Sequence, residues 1–156
     1  MDRKFSVPVR REFEKALTEL WPQFKPAKFD HPIFKSGGWR IYRWETDVNV
    51  WFFLVLGISQ KFNDFSIELF WNTTDHCPIV NFIGCGEQDP WLLAKNRCQI
   101  IVPRGLGFEI KSWKVGSNPS FLPQVVVPPA VNEMKAFADP IIKKVLELHG
   151  KKTITT

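Results

Sequence analysis

The sequence of 156 residues has few cysteines and no long apolar run. Three cysteines without a CxxC pair do not make a disulfide framework and are typical of a reducing compartment. The longest apolar run, Val50 to Ile58, is far shorter than the roughly 20 residues of a membrane-spanning helix. The charged N-terminus lacks the following apolar stretch of a signal peptide. These absences predict a cytoplasmic protein that does not bind or cross a membrane.

The chain also lacks the motifs of several common catalytic sites. Gly105-Leu106-Gly107 has neither the third glycine nor the following helix of a nucleotide-binding loop. The three histidines are dispersed, and no serine or cysteine has an evident histidine partner in the sequence. This pattern predicts no cofactor and favours a protein that is not an enzyme.

Amphipathic helices are predicted at both ends of one domain, residues 1–156. Apolar residues follow the helical period from Pro8 to Leu20 and again from Ala130 to His149. Pro140 predicts a kink or break in the second helix, and the tail from about 150 is expected to fray. The proline-rich segment before it predicts an edge strand or extended strap at Val125–Val127.

The middle of the chain predicts a sheet. Three β-rich segments with short connections favour an antiparallel meander, with shorter strands around it. The long segments are Trp39–Trp44, Asn49–Ile58 and Phe65–Trp71. The sequence therefore predicts an α+β fold, a mostly antiparallel twisted sheet of five to six strands with the N- and C-terminal helices packed on one face.

Charge is distributed unevenly along this basic chain, whose net charge is +5. Residues 45–90 contain seven acids and one base, whereas the other residues contain 20 bases and nine acids. A nucleic-acid-binding protein would not place an acidic block across its middle, so a nucleic-acid partner is disfavoured. The acidic block favours a basic partner.

Tryptophan is concentrated in the same region: four of the seven lie within residues 39–71. Two helices cover one face of such a sheet, so aromatic rings on the other face would form an exposed surface. Tryptophan is enriched at the centres of protein interfaces. The predicted binding residues are Trp39, Trp44, Trp51, Trp71, Glu45, Asp47, Asp64 and Glu68. The alternative is that these rings fill the core beneath the helices.

The N-terminal helix, the strand Trp39-Arg40-Ile41-Tyr42-Arg43 and the run Phe52 to Ile58 together resemble a family of small bacterial domains of unknown function. The resemblance covers residues 8–71. Such domains are often grouped with the immunity proteins of toxin systems. The resemblance implies a non-enzymatic protein that binds another protein, here one that neutralises a basic toxin.

A metal-dependent nuclease is the first alternative function. Glu109-x-Lys111 on a predicted strand resembles the PD-(D/E)xK nuclease pattern, with Asp89 as the second metal-binding acid. Three acid-x-Lys matches occur in the chain, where chance predicts about 1.4. Asp89-Pro90 also reverses the Pro-Asp order of that family.

Two other sites remain open. His76, Cys77, Cys85 and Cys98 are a candidate zinc set, although zinc ligands usually occur in pairs two to four residues apart. Buried, unliganded cysteines are the alternative interpretation. A pocket between the sheet and the helices would instead bind a small ligand.

Overall fold

The computed structural model describes residues 5–27, 39–59, 61–72, 100–101 and 112–154. Within these ranges, helices and strands form the predicted α+β fold. The first helix, α1 (Ser6–Leu20), begins two residues before its predicted start. It ends as predicted before Pro22, where the Trp21 N–H donates to the Leu17 carbonyl at 2.8 Å.

The sheet is antiparallel in every described strand pair. Its strands are β1 (Lys25–Ala27), β2 (Trp39–Glu45), β3 (Trp51–Ser59), β4 (Asp64–Asn72), β5 (Ile100–Ile101) and β6 (Trp113–Lys114). The first five lie in sequence order, and β6 pairs with β4 on the same edge as β5. The predicted meander of three long strands is confirmed.

Both faces of β3 are buried. Phe52, Leu54 and Leu56 point toward the helices, where they belong to one apolar core with side chains of α1. Phe53 and Val55 point to the other face and have no exposed surface either. Because successive side chains of a strand alternate, an apolar residue at nearly every position makes β3 the central strand.

The C-terminal helix, α2 (Pro123–Ile154), is longer than the sequence predicts. The predicted strap at Val125–Val127 is wrong, because these residues form the first turns of α2. The predicted break at Pro140 is also absent, since the helix continues through that residue. Its apolar stripe is buried against the core, and this burial offsets the hydrogen bonds that proline removes.

The two helices pack against each other on the same face of the sheet, as predicted. Just after α1, the Phe24 ring lies 5.7 Å from that of Trp44. Near the end of α2, the His149 ring lies 5.3 Å from that of Trp71. Both tryptophans flank Phe52 in one row across the sheet, so both helices run toward the same end. Neither described helix is apolar enough over sufficient length to cross a membrane.

Candidate functional site

Three of the predicted binding residues, Glu45, Asp47 and Trp51, lie together at the β2–β3 hairpin. Glu45 pairs across the strands with Trp51, while the adjacent Trp44 points to the opposite face. Glu45 and Asp47 are exposed, and Trp51 is half-buried. Trp44 is also half-buried, but its ring packs against Phe24 and Phe52 on the helix-covered face, so its predicted place beside Trp51 is wrong. We call Glu45, Asp47 and Trp51 the hairpin patch.

The turn that carries the hairpin patch is held by Thr46. Its hydroxyl donates to the Val50 carbonyl at 2.7 Å and accepts from the N–H groups of Val48 and Val50. A backbone bond from the Thr46 N–H to the Val50 carbonyl closes the same loop. Asn49 adopts φ 60°, a left-handed conformation that asparagine tolerates better than most residues. These bonds fix the conformation of the turn between the two tryptophan-bearing strands.

The other predicted binding residues do not join the hairpin patch. Trp71 is fully buried under the helices, and Glu68 is only 3% exposed. Asp64 pairs with Ser59 at the far end of β3, about 27 Å along the strand from the Glu45–Trp51 pair. Their predicted place on one exposed surface is therefore corrected. The backbone of Trp39 lies opposite Gly57, and its side chain lies outside what is described.

Glu68 is the one buried charged residue in the described part of the chain. It lies opposite Val55 on the face of the sheet away from the helices, and its Oε2 has no hydrogen-bond partner among the residues that the structure describes. Burial raises the pKa of this carboxyl to about 7. From the sequence, Glu68 was predicted to be an exposed acid of the binding surface. Strand alternation predicts that Glu68 points to the face opposite Ile67 and Leu69, but it does not predict that this face is buried.

Next to Glu68 on the same face, Ser66 borders a groove of about 180 Å³. Ser59, Asp64 and Ser112 also line it. Hydroxyl groups and one carboxylate can accept and donate hydrogen bonds there. Nothing in these residue types specifies a reaction.

A second groove, which the sequence does not predict, runs between α1 and the β1–β2 edge. Arg10, Glu14, Arg40 and Tyr42 line its main part, of about 410 Å³. The Tyr42 hydroxyl donates to Glu14 Oε1 at 3.0 Å. Burial and the neighbouring Glu14 carboxylate both raise the pKa of Tyr42, so its hydroxyl remains a donor. The sequence signal for this groove is that Arg10 and Glu14 are four residues apart on α1, and that Arg40 and Tyr42 are two residues apart on β2.

The candidate nuclease and zinc residues lie outside the described part of the chain. They are Asp89, Glu109, Lys111, His76, Cys77, Cys85 and Cys98. Within the ranges that are described, no group of three or more histidine, cysteine, aspartate or glutamate side chains could hold a metal ion.

No protein-family model, characterised protein or solved structure matches this chain. The site is therefore interpreted from its own residues.

Proposed function

We propose that this domain is a non-enzymatic protein-binding module that uses the hairpin patch to bind a basic partner. The observation that carries this proposal is the Glu45–Trp51 pair, which places an exposed carboxylate directly across from a half-buried indole. Tryptophan is enriched among the residues that carry most of the binding free energy of protein interfaces. Carboxylates beside it favour a partner surface rich in lysine or arginine.

The fixed turn also supports binding by the hairpin patch. A partner that binds a flexible loop must order that loop, which costs binding free energy. The three hydrogen bonds of the Thr46 hydroxyl supply much of that order before binding. Thr46→Val removes them without removing a binding side chain, and is therefore expected to weaken binding less than Trp51→Ala.

The biological role that we propose is neutralisation of a toxin. It rests on the resemblance of residues 8–71 to small bacterial domains grouped with immunity proteins. An immunity protein needs affinity and no catalytic group, which agrees with a site made of one indole and two carboxylates. The partner would then be a basic protein whose activity is blocked when the hairpin patch covers it.

The test compares three forms of the protein as bait for quantitative affinity capture from the cells that make it. They are the wild type, a hairpin variant with Glu45→Gln, Asp47→Asn and Trp51→Ala, and a control variant with Glu12→Gln and Glu19→Gln. The control removes the same number of carboxylates from α1. The proposal predicts a basic protein that the wild type and control retain and the hairpin variant loses.

The captured protein is then identified and expressed alone in a bacterial host. The proposal predicts that it stops growth, and that co-expressed wild type restores growth whereas the hairpin variant does not. If all three baits retain the same proteins, binding by the hairpin patch is wrong. If the captured partner is harmless when expressed alone, the neutralising role is wrong although the binding surface stands.

A further inference from the structure

Two arginines, one from each element, line the groove between α1 and β2. Glu14 on α1 meets Tyr42 on β2 through their hydrogen bond. One helical turn before Glu14, a rise of about 6 Å, lies Arg10. Two strand residues before Tyr42, a rise of about 7 Å, lies Arg40. The Glu14–Tyr42 and Phe24–Trp44 contacts show that the helix and strand run in the same direction. Similar steps back from the Glu14–Tyr42 contact therefore place Arg10 and Arg40 at about the same level along the groove.

Two further observations agree with this placement. Arg10 and Arg40 both line the groove of about 410 Å³, together with Pro26, Ala27 and Ile41. Both arginines also act on the Tyr42 hydroxyl, where their positive charges oppose the rise of its pKa. The two guanidinium groups therefore lie on the walls of one groove.

The groove continues past Glu14 into a smaller part of about 190 Å³, where Lys25 lines the wall. Arginines from both the helix and the strand thus line the groove, and Glu14 and Tyr42 lie where its two parts join. Guanidinium groups bind carboxylate and phosphate oxygens through paired hydrogen bonds. A concave site with arginines on two walls attracts an oxyanion.

We propose that this groove binds a small organic anion, whose phosphate or carboxylate group lies between Arg10 and Arg40. Glu14 adds a second requirement. One of its oxygens accepts from Tyr42, and a carboxylate can accept further hydrogen bonds. A hydroxyl or amino group on the ligand, about one helical turn from the anion, would donate to it. Pro26 pairs with Tyr42 and shares its face of the sheet, so it provides an apolar contact for the body of the ligand.

The test is an NMR titration of the isotope-labelled protein at constant ionic strength. The probes are inorganic phosphate, acetate and glucose 6-phosphate, with chloride as the reference anion. The proposal predicts saturable shifts of the Arg10 and Arg40 side-chain N–H signals, with a dissociation constant of about 1 mM or tighter for at least one probe. Saturation by phosphate or by acetate identifies which oxyanion the site prefers.

Arg10→Gln and Arg40→Gln are each expected to weaken that binding about tenfold or more. Arg11→Gln is the matched control, because Arg11 is the next residue of α1 and is exposed outside the groove lining. Amide spectra of each variant show whether it keeps the fold. Glucose 6-phosphate should bind more tightly than phosphate, and Glu14→Ala should remove that difference.

Shifts that do not saturate with any probe would overturn the proposal. The same conclusion follows if Arg11→Gln weakens binding as much as Arg10→Gln, because the anion would then be attracted by general surface charge. The groove and the hairpin patch use different residues, so failure of one proposal leaves the other intact.

Discussion

The Tyr42 hydroxyl donates a hydrogen bond to Glu14 Oε1 across 3.0 Å, which joins the central part of α1 to the middle of β2. The Tyr42 ring also lies 5.1 Å from that of Phe13, one residue earlier on the helix. Tyr42 is 1% exposed, so its ring belongs to the core while its hydroxyl reaches the wall of the groove. One side chain therefore links the packing of α1 to the geometry of the proposed anion site.

Tyr42→Phe is expected to lower the free energy of unfolding by about 1–2 kcal/mol, because it removes a hydrogen bond to a charged acceptor and keeps the ring. Urea unfolding measures this difference. Glu14→Gln is the control, since its amide oxygen can still accept the bond and its loss should be smaller. If Tyr42→Phe unfolds at the wild-type urea concentration, the bond does not contribute to stability.

Glu68 predicts a pH dependence of stability. Burial raises the pKa of its carboxyl from its ordinary value of 4.5 to about 7 in the folded protein. The folded state therefore binds the proton of Glu68 more tightly than the unfolded state does. The contribution of this proton to the free energy of unfolding is fully present below pH 4.5. As the pH rises to about 7, the free energy of unfolding falls by on the order of 3 kcal/mol.

Glu68→Gln keeps the shape of the side chain and removes its charge. It is expected to be more stable than the wild type at pH 8 and to lose the fall in stability between pH 5 and 7. Chemical unfolding across this range provides the measurement. Glu45→Gln, at an exposed position on the same face of the sheet, is the control and should unfold with the wild-type pH profile. Parallel profiles for all three proteins would contradict the effect of Glu68.

Two tryptophans of the predicted surface are expected to respond differently to truncation. Trp71 is fully buried under the helices, so Trp71→Ala should cost about 3–5 kcal/mol of stability. Trp51 is half-buried on the other face of the sheet, and Trp51→Ala should cost about half as much or less. Thermal and urea unfolding of both variants test this order. Equal losses would contradict the placement of the two rings.

The difference between these tryptophans also shows how far the sequence predicts the site. Strand alternation correctly places Phe65, Ile67, Leu69 and Trp71 on one face, because side chains of a strand have a period of two. Alternation does not tell which face the helices cover, since that depends on where distant segments pack. Trp71 and Glu68 were therefore predicted to lie on an exposed surface, whereas both are buried.

The groove was missed for a related reason. The spacing of Arg10 and Glu14, or of Arg40 and Tyr42, is ordinary when each pair is considered alone. The residues become a site only because α1 runs alongside β2 in the same direction, so that one helical turn matches two strand residues. The hairpin patch was predictable because its residues are close in sequence and a single turn brings them together.

The largest difference between the predicted and the observed secondary structure lies at the prolines of α2. Pro140 lies inside α2 on an exposed position, where it cannot donate to the Ala136 carbonyl. Pro140→Ala restores that donor and is expected to stabilise the protein by about 1–2 kcal/mol. The helix gains up to about 3 kcal/mol from the exchange, while the unfolded chain regains about 1 kcal/mol of conformational freedom.

Urea unfolding measures the gain from Pro140→Ala. Pro119→Ala is the matched control, because Pro119 occupies the first turn of a short 3₁₀ helix, where its missing N–H has no partner to lose. Pro119→Ala should leave the free energy of unfolding unchanged or lower it slightly. A loss of stability in Pro140→Ala would mean that the ring of Pro140 is needed for the path of α2. In that case proline shapes this helix, and burial of the apolar stripe alone does not explain its length.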